Sequence, residues 1–249
     1  FCPFLLLSFF EIKMFCVERN VNKRCLKKTV KPAAFFWKRG NPNWMIEIGM
    51  EKKMTVKMIA TDMDGTLLDG QGQLDLPRLA TILDELDKRD IRFVVATGNE
   101  IPRMRLLLGD LVERMTLVVA NGARIFEKNQ LSMSSFWEAG LIRDALAYFA
   151  GREKELQLVV TSERGGFVQE GTEFPLIEKV MTKEMAQFFH KRMNFVPSLQ
   201  DYPFAKVLKM SMMVEEAAVA EHARLINQHF AGRLSAVASG YGAIDILQD

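Results

Sequence analysis

From residue 56 onward, short apolar runs of strand length alternate with stripes of helical period. Residues 58–60 (M-I-A) form a run too short for a buried helix, which reads as a buried strand of a parallel sheet. A polar, glycine-bearing loop follows over 69–73. Leu79, Ile82, Leu83 and Leu86 then recur at i, i+3, i+4 and i+7, with Asp75 as N-cap and Pro77 in the first turn, so 76–89 is an amphipathic helix. Residues 91–96 (I-R-F-V-V-A) give a second strand, 102–108 a short helix closed by Gly109, and 117–120 (L-V-V-A) a third strand. Strand, helix, strand, helix, strand with right-handed crossovers predicts a Rossmann-like parallel sheet.

The pattern then changes character. Residues 124–126 and 130–134 flank Lys128-Asn129 as a hairpin, and 156–161 with 167–169 flank Gly165-Gly166 as another. Helices are predicted at 137–150, 182–192 and 216–230, and strands at 207–214 and 234–239. Hairpins mixed with helices predict a separate α+β module over 124–235, inserted into the sheet domain of 54–123. Residues 236–249, with the strand 243–247 (A-I-D-I-L), are read as the return to that domain.

Chemistry is concentrated where the first three strands end. Asp62 and Asp64 lean the same way at the end of the first, with Met63 pointing back into protein, and Gly65-Thr66 follows. The second ends in Thr97-Gly98-Asn99 and the third in Asn121-Gly122-Ala123. Ends of parallel strands converge on one edge, where open α/β sheets bind ligands. A phosphate there would meet N–H groups of the glycine turns at Gly65 and Gly98 and the Thr97 hydroxyl. A carboxylate beside a phosphate repels it unless a cation stands between, and oxygen ligands such as Asp62 and Asp64 suit Mg²⁺. Asp62 would attack phosphorus, and Asp64 would protonate the leaving oxygen and then activate water.

The order D-M-D-G-T-L-L-D, V-V-A-T-G, V-V-A-N-G-A resembles the haloacid dehalogenase superfamily, in particular the Cof-like phosphatases with a C2-type α+β cap. The resemblance spans 54–249. It implies Asp62 as nucleophile and Mg²⁺ ligand, and Asp64 as acid/base that binds metal through its backbone carbonyl. It also implies Thr97 and Gly98 as phosphate holders, and a cap that chooses a small phosphorylated metabolite. Asn99 and Asn121 are further substrate-binding candidates, although many relatives carry Arg where Asn99 stands. The resemblance further implies a Lys shortly after 243–247 and a later G-D-x-x-N-D loop, neither of which occurs in these 249 residues. This reads as a C-terminally truncated chain with an incomplete core sheet, an uncovered sheet edge and little or no activity. A non-catalytic ligand-binding or regulatory protein is the alternative.

Other readings of the same residues are weaker. An EF-hand needs Gly and Glu where this chain has Leu67 and Gln73. Acids that merely cap a turn would not explain three matching strand ends. His190, His222 and His229 share no ligand spacing, and Met210, Met212 and Met213 read as strand packing. Lys206 and Lys209 fall in the inserted module, and neither is assigned as the missing lysine.

The formal net charge of +2 is unevenly spread: 1–53 carries 11 Lys+Arg against 4 Asp+Glu, the remainder 22 against 27. The same segment holds all three cysteines and a basic-aromatic stretch (Lys23 to Trp37). It begins with Phe, and Met50-Glu-Lys-Lys precedes Met54, so 1–53 is read as extraneous, with the start at Met54 or Met50. A nucleic-acid or membrane-binding arm is the reading set aside for it. No run reaches the 18 apolar residues of a membrane span. A cysteine-free body fits a reducing cytoplasm.

Overall fold

The computed structural model describes residues 56–69, 72–175 and 183–249. The expectations for 1–53 lie outside the described residues, as do Gly70 and Gln71 of the first loop and Thr182 at the start of a predicted helix. The described chain carries two sheets. The first is β1 (Met58–Asp62), β2 (Arg92–Ala96), β3 (Thr116–Val119), β4 (Arg124–Glu127) and β5 (Gln130–Ser134), in that spatial order. β1, β2 and β3 are parallel, with Asp62 beside Ala96 and Ala96 beside Val118, so their carboxyl ends lie level.

Helix α1 (Leu76–Lys88) connects β1 to β2, with Asp75 capping the Arg78 N–H at 3.0 Å and Pro77 in its first turn. It buries Leu79, Leu83 and Leu86 on the sheet; Ile82 of the predicted stripe stays exposed. Helix α2 (Ile101–Leu108) follows β2 and buries Ile101, Met104 and Leu108, and Gly109 at φ 54° ends it. Val95, Leu117 and Val119 complete this core from the sheet.

The β4–β5 hairpin forms as the sequence predicts, turning at Lys128 and Asn129, both at positive φ. It does not belong to the second module. β4 runs antiparallel to β3, with Leu117 opposite Phe126, and so extends the first sheet. Phe126 decides this, because its side chain completes the first core.

The second sheet has the order β10-β11-β9-β6-β7-β8. Its strands are β6 (Val159–Ser162), β7 (Gly165–Gln169), β8 (Met193–Val196), β9 (Val207–Met213), β10 (Leu234–Gly240) and β11 (Ala243–Gln248). Helices α3 (Ala139–Phe149), α4 (Lys183–Lys191) and α5 (Val219–Phe230) accompany it. Met210, Met212, Ile244 and Ile246 point into one core with Leu146, Phe149, Ile226 and Phe230, so the methionines pack a strand as predicted.

The strand at 243–247 does not return to the first sheet. β11 lies between β10 and β9, antiparallel to both, because Ile244 and Ile246 fill the second core. β8 was not foreseen; Asn194 and Phe195 are exposed, so no apolar alternation marks it. Among the described residues nothing pairs with the outer side of β1, and no helix is long and apolar enough to cross a membrane.

Truncating Leu83, 1% exposed, to Ala is expected to cost about 2–5 kcal/mol. Ile82→Ala, on the same helix but 41% exposed, is expected to stay within about 0.5 kcal/mol. Urea midpoints of the two variants check the orientation of α1.

Candidate active site

The site is assembled from three turns at the carboxyl edge of β1, β2 and β3. Met63 is fully buried and anchors the first turn in the core, which leaves Asp62 and Asp64 facing outward. Gly65 follows at φ 74°, a left-handed conformation that lets the chain reverse after the acids. Asp62 Oδ1 accepts the Met63 N–H at 2.7 Å, and Oδ2 has no hydrogen bond among the described residues. Burial pushes the Asp62 carboxyl above its ordinary pKa; the Met63 N–H opposes this, and the nearby Asp64 charge adds to the rise.

The second turn, Thr97 to Asn99, is clasped to the third by backbone bonds. Ala120 N–H donates to Asn99 O at 2.9 Å and Asn121 N–H to Thr97 O at 3.2 Å. Ala120, Asn121 and Gly122 all have positive φ, the strained geometry that aims these two N–H groups back at β2. Thr97 is buried, and its Oγ1 accepts from Asn99 N at 3.1 Å and Asn99 Nδ2 at 2.9 Å. This turn leads into the N-terminus of α2, whose first N–H groups and dipole favour an anion.

Asp64 is joined to this second turn. Asn99 Nδ2 donates to its Oδ2 at 2.6 Å, and Arg103 Nη2 pairs with its Oδ1 at 3.0 Å. Arg103 Nη1 also donates to Asn99 Oδ1 at 2.6 Å. Arg103 lies in the first turn of α2, four residues after Asn99, so it brings a guanidinium to the place Asn99 occupies. A guanidinium thus stands beside Asp64 and Asn99 from position 103. Sequence reading missed Arg103; the i, i+4 spacing from Asn99 is the signal that would have found it.

The second sheet contributes two more residues that were missed. Lys209 of β9 and Asp245 of β11 reach the same edge, paired at 2.9 Å and both buried. Lys206, three residues earlier, instead pairs with Glu163 and is exposed. Polar-apolar alternation in K-M-S-M (209–212) and I-D-I (244–246) carried the signal. Of the predicted residues, Asp62, Asp64, Thr97, Gly98, Asn99 and Asn121 gather at this edge, with Gly65 shaping it. The amides of Asn99 and Asn121 are engaged by protein groups, the latter by Asp245 and Lys209. His229 packs on Tyr148 and Phe230, and His190 on Phe174 and Phe189, so neither joins the cluster.

Among the described residues, no group of three or more His, Cys, Asp or Glu is placed to hold a metal. Asp62 and Asp64 nonetheless fit Mg²⁺, which takes one or two carboxylates, keeps several waters and binds substrate phosphate.

Glu100, directly after the second turn, is also raised above its ordinary pKa. Burial is the largest cause, opposed by Lys209, Arg124, Arg192 and the Ile101 N–H. A raised carboxyl means the folded state holds its proton more tightly than the unfolded chain. Stability therefore falls as pH rises from the ordinary carboxylate value through the raised one. Glu100→Gln is expected to flatten that part of the curve, measured as urea midpoints from pH 4 to 8.

Residues 59–249 match the family model of the haloacid dehalogenase-like hydrolases. A 5-amino-6-(5-phospho-D-ribitylamino)uracil phosphatase of Escherichia coli (strain K12) is 20% identical over 200 residues, 78% of this chain and 69% of that protein. Among solved structures, SMU.1108c from Streptococcus mutans UA159 is 32% identical, with TM-score 0.65, covering 78% of this chain and 70% of that one. A haloacid dehalogenase subclass IIB sugar phosphatase is 15% identical with TM-score 0.60, covering 78% and 70%, and shows the shared fold. A Rossmann-like sheet, a second α+β sheet and an acid pair at the end of β1 agree with that match, and the chain belongs to the haloacid dehalogenase-like hydrolase family.

Proposed function

We propose that this protein is a Mg²⁺-dependent phosphatase of small phosphorylated metabolites, working through an aspartyl-phosphate on Asp62. The observation that carries the reading is the outward-facing Asp62, with Oδ2 unbonded, level with the Thr97-Gly98 turn across β1 and β2. Asp62 Oδ2 attacks phosphorus, the bond to the leaving oxygen breaks, and Asp64 gives that oxygen a proton. Asp64 then takes a proton from water, which attacks the acyl phosphate and releases inorganic phosphate and free Asp62. The Gly98 and Glu100 N–H groups and the Thr97 hydroxyl hold the phosphoryl oxygens, since the N–H groups of Thr97, Asn99 and Ile101 already donate to protein oxygens. Asp62 and Asp64 would hold Mg²⁺, which when bound would supply charge neutralisation for the bound phosphate.

Asp64 can take its part only by releasing Asn99 or Arg103, which its half-exposed side chain permits. Arg103, 23% exposed, is then free to turn toward the substrate oxygens. The second sheet acts as the cap that selects the substrate. Two relatives are named for phosphatase activity on a phosphoribitylaminouracil and on sugars, and a phosphorylated metabolite of that size fits this reading. The cysteine-free body of the enzyme supports a cytoplasmic setting.

A specific observation favours slow turnover by this 249-residue chain. The ammonium of Lys209, the lysine that reaches this edge, already bonds three protein acceptors, so it offers nothing to a phosphate. The same fact supports the second reading, a phosphate-ligand binder without turnover. Hydrolysis of p-nitrophenyl phosphate with and without Mg²⁺ separates the two. Weak, Mg²⁺-dependent turnover is expected, falling by about a thousandfold in Asp62→Asn and by about 10²–10⁴ in Asp64→Asn. Turnover unchanged in Asp62→Asn would overturn the mechanism.

A further inference from the structure

The peptide group between Gly98 and Asn99 is held at both ends. Its N–H donates to Thr97 Oγ1 at 3.1 Å, and its carbonyl accepts from Lys209 Nζ at 3.0 Å. Lys209 comes from β9 of the second sheet, 111 residues away in the chain. Its other two ammonium hydrogens go to Asp245 Oδ1 at 2.9 Å and Asn121 Oδ1 at 3.1 Å, so all three donors are used. Asp245 is as fully occupied: Oδ1 also accepts from Ser211 Oγ at 2.8 Å and Oδ2 from Asn121 Nδ2 at 3.2 Å.

Both members of the pair are buried, Lys209 at 8% and Asp245 at 5% exposure. A buried ion pair is not needed for stability, since well-packed apolar residues serve as well or better. Its placement against the turn is the more informative feature. A Cβ on Gly98 would stand 3.0 Å from Asn121 Oδ1 and 3.3 Å from Asp245 Oδ2, so glycine lets the second sheet press onto the turn.

We propose that Lys209 and Asp245 are a cap-borne positioning pair for the phosphate turn, fixing the peptide group that orients the Thr97 hydroxyl and Asn99. Through Asn99, which holds Asp64 at 2.6 Å, the pair also sets the resting position of the acid. Seating of the second sheet and the geometry of the turn are then one equilibrium. Neither residue touches substrate. The inference rests on the proposed role of Thr97-Gly98, and its test distinguishes the two.

The test is hydrogen exchange by mass spectrometry on the full chain and on the Lys209→Met/Asp245→Leu double variant, whose apolar pair keeps the fold. Amides of 97–101 and 120–123 are expected to exchange about tenfold faster in the variant, with 92–96 and 207–213 unchanged and the thermal midpoint retained. Unchanged exchange in the turns, or an equal rise over both sheets, would overturn the pair's positioning role. Inorganic phosphate with Mg²⁺ is then titrated against the same peptides. The variant is expected to need about tenfold more phosphate to slow their exchange, and equal demand in both proteins would again overturn the role. Phosphate that slows exchange in neither protein would overturn the phosphate-turn reading itself, leaving the pair judged by the first comparison.

Discussion

Two carboxylates share the end of one strand, and the residues around them meet each with a different set of hydrogen bonds. Asp64 is drawn aside by Arg103 and Asn99, while Asp62 is left with one N–H and a raised pKa. The fold thus gives the two carboxylates unlike surroundings, Asp64 tied to a guanidinium and an amide, Asp62 to a single backbone N–H.

The scaffold delivers this arrangement through level strand ends. Parallel pairing of β1, β2 and β3 brings Asp62, Thr97 and the Asn121 turn to one edge without any of them being near in sequence. Buried Met63 and Val95 lock the strands from below, and the left-handed run from Ala120 to Gly122 stitches β3 to the turn after β2. Strain of this kind is tolerated where backbone N–H groups must be aimed, and here they grip the Thr97–Asn99 turn.

The second sheet is more than a cover. Its β9 and β11 each turn one face into an apolar core and present Lys209, Ser211 and Asp245 on the other. Lys209 reaches the Gly98 carbonyl, and Asp245, which accepts from Ser211, holds it there, so the second sheet touches the Thr97–Asn99 turn of the first.

Much of this was legible from the chain alone. The apolar run before Asp62, the stripe of α1 and the glycine turns after β2 and β3 are local signals, and each fixes its own element. They placed the candidate residues on one edge and pointed to the family. What the sequence could not decide was partnership between distant strands. The β4–β5 hairpin joined the first sheet because Phe126 fits its core, and β11 joined the second because Ile244 and Ile246 fit the other. Arg103 reaching Asp64, and Lys209 reaching Gly98, depend on how helix and sheets dock. Period and turn chemistry are written within a few residues; the choice of which buried face meets which is made only when the whole chain packs.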